Sequence, residues 1–434
     1  MMRSVVARVR GGGSGGFLRG SEVYTPAILL LAAIVGGSFL GLGFIMPLRA
    51  MYARDTGSTS IEIGLMTSSY LLASVLIAPL IGQLTDRFGA SRILWIGLAC
   101  HAIVVLAYMA VHSPLLLIAL RAAEGATAAA VLPPARALIN RLAPGARQGE
   151  ALGLLGAAQE AGILLGPAAG AFLASQVGYT PSFLIAGGVM ALGSLAALLR
   201  IPYSGGAEAD ATRIQRPGLA GIGTFTKPLR LVYSLTGIIA LPHGVMMALW
   251  TIYMLDRGVS LPLIGLTYTA AALPALFVAP LAGRWSDRYG RYWPIALSMV
   301  GVGLIYALYG LPVSPLILLL LCAIEGGVAT IARSALDGLL ADVTPAGMQG
   351  RVQANFTAVT AAGRLLGATA AGFIYLADPG LPFIMGGAIC LVAGLALLLP
   401  RLARLFPSAV RVQPPVAIPE APPFLGEVAI DSQR

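Results

Sequence analysis

The sequence predicts an all-α integral membrane protein of twelve transmembrane helices, arranged as two pseudo-symmetric six-helix bundles. Three observations predict it. Apolar residues make up 57% of the chain and charged residues only 11%, with a mean hydropathy of +0.85, whereas soluble domains carry about 25% charged residues. A dozen apolar stretches each approach the roughly 20 residues that a helix needs to cross the hydrocarbon core. The chain also repeats itself. Residues 78–89 read Ala-Pro-Leu-Ile-Gly-Gln-Leu-Thr-Asp-Arg-Phe-Gly and residues 279–290 read Ala-Pro-Leu-Ala-Gly-Arg-Trp-Ser-Asp-Arg-Tyr-Gly, 201 positions later. The same offset superposes Tyr52 on Tyr253, Gly57 on Gly258, Gly64 on Gly265, Glu124 on Glu325 and Gly166 on Gly367, so a whole half-protein is duplicated.

Taken in order, residues 1–23 are basic and then Gly-rich, and read as a flexible cytoplasmic arm with no signal-peptide pattern. The first half, 24–202, holds spans at about 25–48, 60–83, 93–112, 114–140, 149–174 and 180–201. Residues 203–227 break the apolar pattern and form a central cytoplasmic linker. The second half, 228–404, holds spans at about 229–255, 262–283, 293–312, 314–341, 350–377 and 381–400. A Pro-rich tail, 405–434, follows. The runs lack the strict alternation of barrel strands, which excludes a β-barrel.

The net charge of +10 does not point to nucleic acid, because the basic residues are spread by topology instead of clustered on one patch. They gather before the first span and in the even-numbered turns, while the opposite turns keep only Arg49, Arg54 and Arg257. The positive-inside bias then places both termini in the cytoplasm. Cys100, Cys322 and Cys390 sit inside spans without metal-ligand spacing and read as packing residues. The single lysine, Lys227, belongs to no phosphate-binding loop, and no zinc-protease or serine-hydrolase string occurs. The chain reads as neither an ATP-driven pump nor an enzyme.

Two turns carry the same string, Gly82-x-x-x-Asp86-Arg87-x-Gly89 after span two and Gly283-x-x-x-Asp287-Arg288-x-Gly290-Arg291 after span eight. In this the chain resembles the major facilitator superfamily, whose signature occupies these two turns, and the resemblance covers essentially the whole chain. It implies a cytoplasmic gating loop in which glycines permit close approach and the charged residues latch one conformation. Ala90 and Ser91 separate Gly89 from the next basic residue, Arg92, which implies a weaker first-half latch.

Deep charges are costly in a membrane and are functional candidates by default. Arg121 and Glu124 lie three apart on one face of span four, Glu160 lies midway along span five, Glu325 in span ten and Arg364 in span eleven. Spans three, six, nine and twelve carry none away from their ends. The Arg121-Ala-Ala-Glu124-Gly125 string resembles the family's span-four motif, with glutamate where glutamine is usual, and implies proton coupling. Glu124, Glu160 and Glu325 are candidate proton carriers with Arg121 and Arg364 as switches or anion contacts; fixed ion pairs between helices are the other reading of the same residues.

Gly162-x-x-x-Gly166-Pro167-x-x-Gly170 in span five resembles the motif of the superfamily's drug/proton antiporters. His243, Trp250 and Tyr253 in span seven are candidate cavity residues. The resemblance as a whole implies a secondary transporter in the multidrug-efflux branch, exporting small hydrophobic or amphipathic compounds by alternating access, driven by a proton gradient with no cofactor. Its expected partners are a small-molecule substrate, protons and the bilayer of the inner membrane, with no nucleic acid and no metal, and a monomer suffices. The alternatives are a symporter or uniporter for a sugar, organic acid or other metabolite, or a lipid translocator.

Overall fold

The computed structural model describes residues 24–143, 147–201, 226–345 and 348–399. The arm 1–23, nearly all of the linker 203–227 and the tail 405–434 lie outside the described residues. The described chain is helical, with twelve apolar segments: α1 Pro26–Asp55, α2 Ser60–Phe88, α3 Ala90–Ala110, α4 Pro114–Leu142, α5 Gln148–Val177, α6 Tyr179–Arg200, α7 Lys227–Asp256, α8 Leu261–Tyr289, α9 Tyr292–Tyr309, α10 Pro315–Val343, α11 Gln349–Ile374 and α12 Leu381–Leu397. Eleven are long and apolar enough to cross a membrane, and α12 is a shorter apolar helix.

Local chemistry explains their starts and interruptions. Thr25 caps α1 by accepting from the Ile28 amide, Ser314 caps α10 through the Ile317 amide, and both precede a proline that needs no helical donor. Thr59 and Glu62 form a reciprocal capping box before α2, with Thr59 N donating to Glu62 Oε2 at 2.7 Å and Glu62 N to Thr59 Oγ1 at 3.3 Å. Helix α1 is interrupted at Ile45, two residues before Pro47, and α4 between Ala128 and Leu132, just before Pro133 and Pro134. A proline withholds its amide and crowds the carbonyl four residues back. The repeat-equivalent positions are Ala248, Ser334 and Ala335, and α7 and α10 run unbroken there. Gly57 and Gly258, and Gly89 and Gly290, are repeat pairs with positive φ of 90°, 72°, 88° and 85°, a conformation that a side chain strains.

Chain contacts divide the molecule into two compact units. The first comprises Met1–Arg49, Ala73–His112 and Leu120–Gln215. In it α1 packs on α5 and α6, and α3 on α6. Its core includes Ile28, Leu31 and Val35 of α1, Leu94 and Leu98 of α3, Leu138 and Ile139 of α4, and Leu155 of α5. The second comprises the described residues within Ala50–Leu72, Ser113–Ala119 and Arg216–Arg434. There α7 packs on α11 and α12, α8 on α10, and α9 on α10 and α12. Its core joins Leu229 and Val232 of α7 to Ile295 and Met299 of α9, and Leu336 and Leu339 of α10. The first part of α2, through Leu72, belongs to this unit, where Ser60 Oγ donates to Gly372 O at 3.0 Å and Ser68 Oγ meets Thr369 Oγ1 at 2.7 Å.

Glycines set the closest helix contacts. A Cβ on Gly162, Gly166 or Gly170 would stand 2.6, 2.7 or 1.8 Å from backbone oxygens of Gly36, Leu40 or Phe44 on α1. In the second unit, Cβ atoms on Gly363 and Gly367 would stand 2.5 and 2.0 Å from the Gly237 and Leu241 oxygens of α7. Gly36, Gly162 and Gly166 are the repeat partners of Gly237, Gly363 and Gly367, so one backbone-to-backbone contact is built twice. Lipid chains are as apolar as side chains, so such close packing carries helix association. Large apolar groups such as Ile103, Leu192, Phe277, Leu316 and Val392 face outward, each more than 60% exposed, as hydrocarbon contact requires.

Gly170→Ala is expected to destabilise the protein by about 1–3 kcal/mol through overpacking. Gly156→Ala on the same helix, where nothing lies within 4 Å of the added carbon, is expected to stay within about 0.5 kcal/mol of the parent. Thermal unfolding in detergent checks both, and equal midpoints for the two variants would remove the packing role of Gly170.

Candidate functional site

The densest charge cluster of the first unit surrounds Glu124. This residue sits on α4 with no exposure, and Arg121 and Arg49 are 8% and 6% exposed. Arg121 Nη1 contacts Glu124 Oε2 at 2.8 Å, one helical turn away. Arg49 Nη2 donates to the other oxygen, Oε1, and the Tyr108 hydroxyl donates to Oε2 at 2.8 Å. Tyr108, in the last turn of α3, is held by a parallel stack on Phe183 of α6, with centroids 5.3 Å apart. On α3, His101 Nδ1 meets Thr127 Oγ1 at 2.9 Å, one turn beyond Glu124 on α4. Two guanidiniums and a phenol thus saturate one carboxylate.

Sequence reasoning found Arg121 and Glu124 but placed Arg49 in a turn and gave Tyr108 no role. The correction follows from helix length. Helix α1 continues past the Ile45 interruption to Asp55, which carries Arg49 inside a span instead of beyond it. The assignment of all deep charge to spans four, five, ten and eleven therefore omitted span one. Pro47, which marks the interruption, was the available signal.

The offset of 201 maps Arg49, Tyr108, Arg121 and Glu124 onto Trp250, Tyr309, Cys322 and Glu325. The second copy has kept the tyrosine and the carboxylate and lost both cations. Trp250 lies 4.8 Å from Tyr309 and 5.9 Å from Phe383 by ring centroid, Tyr253 lies 4.6 Å from Phe383, and the indole donates to Thr267 Oγ1 at 2.8 Å. Trp250 and Tyr253 have no exposure. Their expected place on a cavity wall is corrected: they form an aromatic core among α7, α9 and α12, filling the space that charges occupy in the first copy. Glu325 is 4% exposed, and none of the ion pairs or hydrogen bonds among the described residues includes it. An uncompensated charge at this depth costs about 2.5–3.5 kcal/mol on insertion scales.

The remaining candidates divide. Glu160 is exposed on α5 and joins none of the Glu124 contacts. Gly162, Gly166, Pro167 and Gly170 form the α1 contact face, with Pro167 Cδ 3.0 Å from a Cβ placed on Gly43. His243 is exposed on α7 and lies within electrostatic range of Arg364 and Arg333.

At the second Asp-Arg turn, Arg291 contacts Asp287, donates through Nε to Asp342 Oδ2 at 3.0 Å, and reaches Ser286 Oγ at 3.0 Å. Gly338 makes the room, since its Cβ would stand 2.7 Å from Arg291 Cζ. Burial works against the guanidinium charge, but the hydrogen bonds it donates to Asp342 and Asp287 outweigh it and raise its pKa. Arg288 turns instead onto the Tyr289 ring at 5.6 Å, as Arg87 does onto Phe88 at 5.1 Å. At the first turn, Gly82, Asp86, Arg87, Gly89 and Arg92 lack this arrangement's counterparts, because Ala90 and Arg141 stand where Arg291 and Asp342 would be.

No group of three or more His, Cys, Asp or Glu side chains among the described residues could hold a metal ion. Known proteins agree with the fold and repeat. The Major Facilitator Superfamily profile matches residues 28–244 and 232–422. The quinolone resistance protein NorA of Staphylococcus aureus is 31% identical over 163 residues, 38% of this chain and 41% of the relative. The match thus spans about two-fifths of NorA's length. The class G tetracycline resistance protein of Vibrio anguillarum is 29% identical over 370 residues, 82% of this chain and 92% of the relative. Among solved structures, the nucleoside transporter NupG aligns with a TM-score of 0.71 at 14% identity, covering 88% of this chain and 99% of that one. A bacterial homologue of the human lysosomal transporter Spinster, inward-facing and unoccupied, aligns at 0.68 and 17% identity, covering 88% and 95%. At such identities the likeness concerns the fold alone. A duplicated twelve-helix chain, matched over both halves by one profile, is a multi-pass membrane protein of the Major Facilitator Superfamily.

Proposed function

We propose that the chain is a proton-coupled exporter of small hydrophobic or amphipathic compounds, working by alternating access. The observation that carries this reading is the contrast between two repeat-equivalent buried carboxylates. Glu124 is held by Arg49, Arg121 and Tyr108, and Glu325 is in no ion pair among the described residues. Partner removal from a buried ion cluster is costly, so Glu124 is a fixed tie between α1, α3 and α4. The charge on Glu325 is the one whose gain or loss a change in water access controls. A proton arriving from outside neutralises Glu325 and substrate leaves; loss of that proton to the cytoplasm restores the binding state. Glu160 is a second candidate carrier on its exposed face.

The direction of transport rests on the Gly162, Gly166, Pro167 and Gly170 string and on relatives whose names refer to quinolone and tetracycline resistance. Both termini face the cytoplasm in this reading, in keeping with the basic residues of the even-numbered turns. The proton gradient is the energy source, no cofactor takes part, and one chain is the working unit.

Purified protein in liposomes is expected to move an amphipathic dye when a pH gradient is imposed. Glu325→Gln is expected to lower gradient-driven movement by at least about tenfold, equivalent to 1.4 kcal/mol, while the folded fraction is unchanged. A gradient response in Glu325→Gln equal to the parent's would remove this carrier.

For the first unit, Arg49→Met is expected to destabilise by about 1–3 kcal/mol because Glu124 Oε1 loses its buried donor while Arg121 stays paired. With Glu124→Gln added, the total loss is expected to differ from the sum of the two single losses by more than about 1 kcal/mol, the coupling that a contacting pair shows. Strict additivity in a denaturation cycle would argue against the tie.

A further inference from the structure

We propose that the second unit holds a site for an anionic group on the transported compound, formed by Arg364 on α11, Arg333 on α10 and His243 on α7. The inference rests on the transport reading above and adds a substrate class to it: amphipathic compounds bearing a carboxylate.

Arg364 lies deep in α11, and its Nε is enclosed with no hydrogen-bond partner among the described residues. None of the ion pairs among the described residues includes it. Arg333, Tyr306, Tyr70 and His243 lie within its electrostatic range. Asp337, four residues beyond Arg333, lies within range of Arg333 and offsets part of that charge. Among the described residues Arg364 is in no ion pair. A guanidinium inside a membrane span is retained where something pairs with it, and a planar fork of donors fits a carboxylate better than a point charge does.

The backbone brings these residues together. A Cβ on Gly244 would stand 2.0 Å from the Arg364 carbonyl oxygen, so α7 and α11 touch at this level and His243, the preceding residue, stands beside Arg364. His243 and Arg333 are both exposed, so a bound molecule can reach them. The repeat separates this cluster from the shared scaffold. The first-half counterparts of His243, Arg333 and Arg364 are Leu42, Leu132 and Ile163, all apolar. Three basic residues have thus been placed on three helices at positions where the other copy needs none.

The test is equilibrium binding of radiolabelled 2-naphthoate to detergent-purified full-length protein, with methyl 2-naphthoate as the uncharged competitor and no gradient present. The parent is expected to bind the acid at least about tenfold more tightly than the ester, a difference of 1.4 kcal/mol. Arg364→Gln is expected to bring the two within about threefold, and Arg364→Lys to keep part of the preference. Arg333→Gln, a change at an exposed position, is expected to weaken the acid several-fold and leave the ester's affinity alone, which keeps the test open if Arg364→Gln misfolds. Equal affinity for acid and ester in the parent, no saturable acid binding, or a preference that survives both glutamine variants would overturn the site. Acid preference without proton-driven movement in liposomes would instead count against the exporter reading and leave the site standing.

Discussion

A carboxylate inside the hydrocarbon region has to be compensated, and the rest of this structure is arranged around how the two copies of one glutamate meet that requirement. In the first copy, Arg49, Arg121 and Tyr108 converge on Glu124 from α1, α4 itself and the end of α3. Each donor needs its own support: the interruption at Ile45 that lets α1 continue to Asp55, the helical turn that sets Arg121 three residues from Glu124, and the Phe183 ring that holds Tyr108. Removing any one would take a donor from the buried carboxylate. In the second copy the same positions are Trp250, Cys322 and Tyr309, with the two rings packed together, and Glu325 is in no ion pair among the described residues. Duplication supplied two identical positions, and divergence left one ringed by donors and the other, among the described residues, outside any ion pair.

The glycine faces make that divergence possible without altering the scaffold. Gly36, Gly162 and Gly166 on one side, and Gly237, Gly363 and Gly367 on the other, bring α1 to α5 and α7 to α11 at backbone distance. Contacts between backbones do not depend on side-chain identity. Residues on the remaining faces are free to differ, and they do: Ile163 became Arg364 or the reverse, and Leu42 stands opposite His243. The Asp-Arg turns follow the same logic. Their positive-φ glycines are shared, and the Arg291 clamp with Asp287 and Asp342 exists where Arg291 and Asp342 do.

Fold class was legible because it rests on quantities that sequence carries directly: span length, scarcity of charge and a constant offset. The site was legible in part. Glu124, Arg121, Glu325 and Arg364 stand out because a charge within an apolar run needs no structure to be noticed. Arg49 did not, since hydropathy ended the first span at residue 48 while hydrogen bonding carries the helix seven residues further. Trp250 and Tyr253 misled for the opposite reason. Aromatic side chains suit a cavity wall and a helix interface equally well, and only three-dimensional packing against Tyr309 and Phe383 decides between them. The offset already aligned Arg49 with Trp250, so a substitution of cation by aromatic was visible before its meaning was.

Central to this account is that one carboxylate changes protonation while its repeat partner stays an ion-paired tie. Infrared difference spectroscopy of the purified protein, recorded on adding an amphipathic substrate, reads this most directly. The account predicts one protonated-carboxyl band that changes on binding, absent from Glu325→Gln and retained in Glu160→Gln. A band that persists unaltered in Glu325→Gln, or that disappears only in Glu124→Gln, would contradict it.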